Sequence, residues 1–192
     1  MTDTSTATTR TVDGVELPAP GHWAFDPSHS SVEASVRHLG LSRVRGRFGS
    51  FTGAVDVAER PEDSSVQVSI DAGSVDTREP ARDEHLRSPD FLDVAAHPTI
   101  DFRSTEVTGG GGHWQVRGDL TLRGTTRPVT LDVAFEGVEN DPWGGSRAAF
   151  SARTELDREE FGLTWNQVLE SGGLLVGKKV RIELEIEVIR AA

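Results

Sequence analysis

The last stretch of the chain constrains the fold more tightly than any other. Val180, Ile182, Leu184, Ile186 and Val188 alternate there with Arg181, Glu183, Glu185 and Glu187. Successive side chains of a strand point to opposite faces, so this run reads as a strand with one apolar and one charged face. The same period recurs upstream. Val32, Ala34 and Val36 alternate with Glu33, Ser35 and Arg37, and His38 falls on the apolar phase. Val44, Gly46 and Phe48 follow, after which the phase slips by one residue to Phe51, Gly53, Val55 and Val57. That slip predicts a β-bulge at Gly49 or Ser50. Five more runs carry the pattern, marked by Val66, Ile100, Trp114, Val129 and Ala148 near their starts. A short strand over 22–26 is stopped by Pro27.

About eight substantial strands joined mostly by hairpins, each with a polar outer face, describe an antiparallel barrel or a sandwich. Long strands with polar outsides favour the barrel, so the expected class is all-β. An eight-stranded barrel is wide enough for one small or elongated ligand. Ala34, Gly46, Gly53, Gly118, Ala148 and Ala152 all fall on inward phases. They either leave room for a cavity or fit a tapered, packed core. One segment breaks the β pattern, Arg82-Asp83-Glu84-His85-Leu86-Arg87. Pro80 can open a helix there and Pro89 discourages it at Ser88, so a short charged helix is expected mid-chain, capping the sheet.

At 192 residues the chain is long enough for one domain with a sizeable core. We assign that domain to 22–192 and read the Thr-, Ser- and Pro-rich residues 1–21 as a disordered tail. The net charge is −11, with no Lys/Arg cluster standing out in the sequence. Nucleic acid and an anionic membrane surface are therefore not expected as partners. No cysteine is present, which excludes disulfides and thiolate chemistry. No apolar run approaches the roughly 18 residues of a membrane-spanning helix, so no stable membrane insertion is expected. The N-terminal residues lack the charged and apolar regions of a secretory signal, so the cytoplasm is the expected compartment.

Few residues carry recognisable chemistry. His38 points inward at a strand end, either to meet a ligand head group or to be satisfied by backbone. Arg82, Asp83 and His85 could form a charge relay, but no nucleophile accompanies them, and a structural network is the simpler reading. His85, Asp93 and His97 are split by Pro89 and include no helical histidine pair, so no metal site is expected. Gly109 to Gly112 lacks the Lys-Ser/Thr and helix of a phosphate loop. No catalytic residue and no cofactor are assigned. Phe48, Phe102, Trp114, Phe135 and Phe150 sit on inward phases of separate strands, and Trp165-Asn166 begins a flap after the Phe161-Gly162 turn.

The motifs Asp26-Pro27-Ser28-His29-Ser30, Val36-Arg37-His38, Val44-Arg45-Gly46-Arg47-Phe48, Arg82-Asp83-Glu84-His85-Leu86-Arg87-Ser88-Pro89-Asp90-Phe91 and His97-Pro98-Thr99-Ile100-Asp101-Phe102 occur in this order. Gly118-Asp119-Leu120-Thr121-Leu122 and Asp157-Arg158-Glu159-Glu160-Phe161-Gly162 follow. Together they resemble the YceI-like family of polyisoprenoid-binding proteins over essentially residues 22 to 190. The resemblance implies a lipocalin-like barrel whose apolar lumen holds a long isoprenoid or similar lipid. Many relatives are exported, whereas this sequence shows no signal segment and no tyrosine. The ligand-binding residues expected on this basis are Val36, His38, Phe48, Phe102, Trp114, Phe135, Phe150, Trp165 and Asn166, with Asn166 as head-group donor. A homodimer is compatible with it. Two functions follow: a non-catalytic lipid carrier, or an enzyme on an isoprenoid- or quinone-like substrate with His38 or His85 as base.

Overall fold

The computed structural model describes residues 8–142, 144–170 and 172–190. Its first element corrects the reading of residues 1–21 as a disordered tail. Strands β1 (Thr9–Val12) and β2 (Val15–Pro18) pair as a hairpin, and Leu17 and Ala19 are buried. The connection is Asp13-Gly14, both with positive φ. An Asp-Gly pair between apolar residues favours the tight turn that matches strand twist, so the signal was in the sequence beneath its Thr-rich composition. Arg10 fixes the hairpin by donating to the carbonyls of Ala58 and Glu59. Residues 1–7 of the expected tail, and Trp143 of the loop read at 140–145, lie outside the described residues.

The barrel itself is an up-and-down meander. Its first path is β3 (Gly21–Phe25) continued by β4 (Ser31–His38), and its second is β5 (Ser42–Phe48) continued by β6 (Phe51–Val57). The third is β7 (Ser65–Asp71) with the two-residue β8 (Val75–Asp76). Single strands complete the set: β9 (Thr99–Gly110), β10 (His113–Leu122), β11 (Thr125–Asn140), β12 (Ser146–Asp157) and β13 (Val176–Arg190). All neighbours are antiparallel. β13 closes the ring, pairing with β12 along one edge and with both β3 and β4 along the other. The expected eight-stranded antiparallel barrel is therefore what the chain forms. At Gly49–Ser50 the ladder is interrupted outright: β5 pairs with β4 and β8, and β6 with β3 and β7.

The mid-chain helix α1 (Pro80–Arg87) starts on Pro80, where a missing N–H costs no helical bond. It is strapped to β8 through polar groups. Asp83 is buried and accepts from the Thr77 N–H at 2.8 Å and from the Thr77 hydroxyl at 2.5 Å. Arg82 donates to the Thr77 hydroxyl and carbonyl, and Arg87 to the carbonyls of Gly73 and Val75. The expected network thus holds Arg82 and Asp83, while His85 turns away to Asp90 at 2.9 Å. Leu86 packs beside Phe91, Leu92 and Phe161, which close this end of the barrel.

The opposite end is closed by Trp23, Phe51, Ala148 and Val188 beneath the N-terminal hairpin. Trp23 is fully buried and its indole N–H donates to Ala19 at 3.0 Å. Arg147 on β12 ties three elements together there. Its guanidinium donates to Asp26 at 2.7 Å, to Asp141 at 3.2 Å and to Glu187 on β13. His29 meets the same Asp26 carboxylate at 2.8 Å.

Replacing Asp83 by Ala leaves the Thr77 N–H and hydroxyl without their acceptor. We expect a loss on the order of 1–3 kcal/mol, read as a lower thermal midpoint with the barrel intact. The Arg147 and His29 hydrogen bonds hold the Asp26 carboxyl well below its ordinary value, at about 2. A carboxylate stabilised in this way adds stability above about pH 4, and that stability disappears as pH falls toward about 2. Thermal melts across that window should show a steeper acid loss for the parent than for Asp26→Asn.

Candidate functional site

Between the two closed ends lies a cavity of about 520 Å³. Its wall is built strand by strand from the inward phase of the alternation. β4 contributes Val32, Ala34 and Val36, β5 contributes Val44 and Gly46, and β13 contributes Val180, Ile182, Leu184 and Ile186. β9 to β12 add Ile100, Phe102, Trp114, Val116, Leu131, Val133, Phe150 and Ala152. Polar side chains gather where strands end. His38, Thr77, Arg82 and His85 lie at the helix end, and Arg10, Ser64 and Ser65 lie at the hairpin end. The middle is apolar, so it offers a bound molecule burial and few hydrogen bonds.

Seven of the nine residues named from sequence, Val36, His38, Phe48, Phe102, Trp114, Phe150 and Trp165, are brought onto this one wall. Phe135 is not on it. It faces Phe150 in the ladder and packs against that ring at 5.4 Å, against the cluster of Trp23, Phe51 and Val188 that closes the hairpin end. Asn166 is also off the wall, and its amide has another role. It donates to the Val176 carbonyl at 2.7 Å and accepts from the Val176 N–H at 3.0 Å, clamping the flap to β13 as a strand neighbour would. That engagement uses the amide oxygen and one of its two N–H groups to hold the flap.

The small inward residues serve both purposes left open by the sequence. A Cβ on Gly118 would collide with the Phe102 ring and come within 2.5 Å of the Arg103 carbonyl. One on Gly53 would meet the Phe25 ring at 2.8 Å. These two glycines are therefore occupied by aromatic rings from neighbouring strands. Gly46 is covered too, since a Cβ there would meet the Thr77 methyl at 2.9 Å, whereas Ala34 and Ala152 border the cavity.

The charged lining residues are held by partners. Arg158 is buried and bonds to carbonyls of Leu163, Val176 and Gly177, so it fastens the flap across the irregular step where β13 leaves β4. Burial pushes its guanidinium below the ordinary arginine value. His85 stands edge-on to Phe91 at 5.0 Å and to Trp165 at 4.7 Å. Among the described residues, neither the His38 ring nor the His85 ring is hydrogen-bonded to a hydroxyl. The cluster Asp26, His29 and Glu187 has metal-like spacing, but the Arg147 guanidinium already contacts both acids. The Trp114 indole nitrogen is buried with no acceptor. Nothing in a linear pattern marks it, since the missing partner is a fact of three dimensions.

Barrel closure, a cap at each end and an apolar interior define an antiparallel β-barrel protein of the lipocalin-like type. The chain belongs to the YceI-like domain family, whose pattern it matches over residues 23–188. A UPF0312 protein of Vibrio cholerae is 43% identical over 139 residues, covering 71% of this chain and 73% of that protein. Among solved structures, Burkholderia cenocepacia BcnA superposes with a TM-score of 0.74 at 22% identity, over 85% of this chain and 98% of that one. A polyisoprenoid binding domain from Saccharophagus degradans superposes at 0.65 with 14% identity, over 88% and 98%.

Gly118→Ala tests the packing of the wall. Its Cβ can be accommodated only if Phe102 turns into the cavity or the β9–β10 ladder opens. We expect a loss of roughly 1–3 kcal/mol in chemical denaturation, and only partial recovery when Phe102→Leu is added, because the Arg103 carbonyl stays in place.

Proposed function

We propose that this protein is a non-catalytic carrier that binds or sequesters a long-chain polyisoprenoid or similar lipid in the barrel lumen. The observation that carries the reading is the cavity of about 520 Å³ with an apolar middle. Its size falls within the roughly 300–1,000 Å³ of small-molecule sites. Each methylene buried there contributes about 0.8 kcal/mol, so a chain-like ligand gains affinity without a polar anchor. The related domain from Saccharophagus degradans, described as polyisoprenoid binding, supports the same ligand class. The enzymatic alternative would need His38 or His85 as base. Among the described residues neither ring is hydrogen-bonded to a hydroxyl, so no nucleophile–base pair supports that reading. The cytoplasm is the compartment proposed for this activity, to be checked by fractionating the native host.

Native mass spectrometry of the purified protein, before and after organic extraction, tests the proposal. A bound mass removed by extraction is expected. Trp114→Arg should lose it, because an unpaired guanidinium in the lumen costs several kcal/mol against an apolar chain. A folded Trp114→Arg protein that keeps as much lipid as the parent would show that the lumen is not the site.

A further inference from the structure

Among the described residues, four large hydrophobic side chains are left exposed: Leu39 (40%), Leu41 (80%), Val168 (72%) and Leu174 (40%). They are scattered over the sequence but gather in two adjoining loops. Leu39 and Leu41 form the β4–β5 turn. Val168 and Leu174 face each other in a small hairpin before β13. The loops are joined by the Leu39 N–H donating to the Leu175 carbonyl at 2.9 Å, and by His38 pairing with Val176. His38, Leu175 and Val176 also line the cavity, so this apolar rim adjoins one end of the lumen.

The turn is built against local preference. Leu39 has φ 56° and Gly40 φ 71°. A two-residue left-handed turn favours Asn-Gly or Asp-Gly, and an apolar, branched side chain at its first position is strained. Such strain on an exposed residue is better explained by function than by folding.

The charge around the rim points to the occupant. The outer faces of β4 and β5 carry Arg37, Arg43 and Arg45, and Arg37 sits directly opposite Arg43 in the ladder. Like charges in that position are destabilising. Arg37 bonds to the Leu41 carbonyl, while Arg43 and Arg45 have no hydrogen-bond or ion-pair partner among the described residues. Arg181 lies on the neighbouring strand beside Ser35, which faces Arg45 across the other ladder. One carboxylate, Glu170, sits in the Val168–Leu174 hairpin. Arginines on the edge of β5 would also discourage strand-to-strand aggregation. That role does not account for the leucines at the tip.

We infer that this rim is a membrane-docking surface: Leu39, Leu41, Val168 and Leu174 enter the interface of an anionic bilayer while Arg37, Arg43 and Arg45 meet its phosphates. Interfacial binding draws on this pairing of apolar insertion with cationic attraction. Docking brings the rim of the lumen to the bilayer that would supply or receive the lipid, and to that extent the inference rests on the carrier reading above. It limits the sequence-based exclusion of anionic membranes to the molecule as a whole.

The test is flotation of the full-length protein with phosphatidylcholine vesicles, with and without phosphatidylglycerol. Lumen occupancy is measured on the same samples by native mass spectrometry. The parent should float with the anionic vesicles, be released by salt and bind phosphatidylcholine alone weakly. Leu41→Glu and the double variant Arg43→Glu/Arg45→Glu should each reduce binding by roughly tenfold while keeping the lumen lipid and the parental melting temperature. Leu41 and Arg45 are exposed and Arg43 is half-buried, and none of the three belongs to the buried core. Absence of flotation for the parent, or equal flotation of both variants, overturns the inference. So does a Leu41→Glu protein that turns from dimer to monomer with vesicle binding unchanged, because the rim would then belong to a second copy. A parent that floats with an empty lumen leaves docking standing and overturns the carrier reading instead.

Discussion

The ladder that closes the barrel is the interaction on which the rest of the structure depends. β13 must pair with β12, its predecessor in the meander, and with β3 and β4 from the start of the chain. That long-range pairing is slow to find and carries a large loop-closure cost, but it leaves few free strand edges and gives the sheet an inside. The apolar phase of every strand is then obliged to face every other. A ring this wide cannot be filled by branched aliphatics alone, so its interior becomes a question of which side chains reach across it.

Large rings and missing side chains answer that question together. Phe102 lies over Gly118 and Phe25 over Gly53, so these rings are held close to the wall. Held there, they line the lumen without crossing it, and space remains beside Ala34 and Ala152. Enlarging either glycine would drive a ring inward and exchange cavity for packing. The volume available to a ligand is thus controlled by residues that have no side chain to touch it.

The legible part of the sequence was the part governed by strand period. The alternation in β13, β10 and β4 gave the right faces because one face of each is buried and a one-residue slip would invert it. The helix was legible from Pro80 and Pro89, and seven cavity residues followed from phase. What failed depended on pairing across the molecule. Phe135 keeps its phase opposite Phe150 but packs into the cluster that closes the hairpin end, and no pattern within β11 records where along the strand the cavity stops. Asn166 looked like a free donor because its partner, Val176, is ten residues away in the next strand. The N-terminal hairpin was missed for a different reason: composition was weighed above the Asp13-Gly14 turn.

Net charge misleads in a similar way, because it averages over a surface that is not uniform. On the outer face of β13, Arg181 is followed by Glu183 and Glu185, and their partners on β4 run from Ser35 through Glu33 to Ser31. Moving from the Leu39 turn along these strands, the surface changes from arginine to glutamate within a few residues. At physiological ionic strength charges are screened beyond about 8 Å, so an approaching surface responds to the nearest end of the barrel more than to the total of −11. The acidic flank still matters, because it repels the same anionic surface. On the docking proposal, a molecule with this distribution approaches an anionic bilayer most favourably with the apolar rim leading. The orientation that favours contact is therefore the one that turns the His38 end of the lumen toward the lipid.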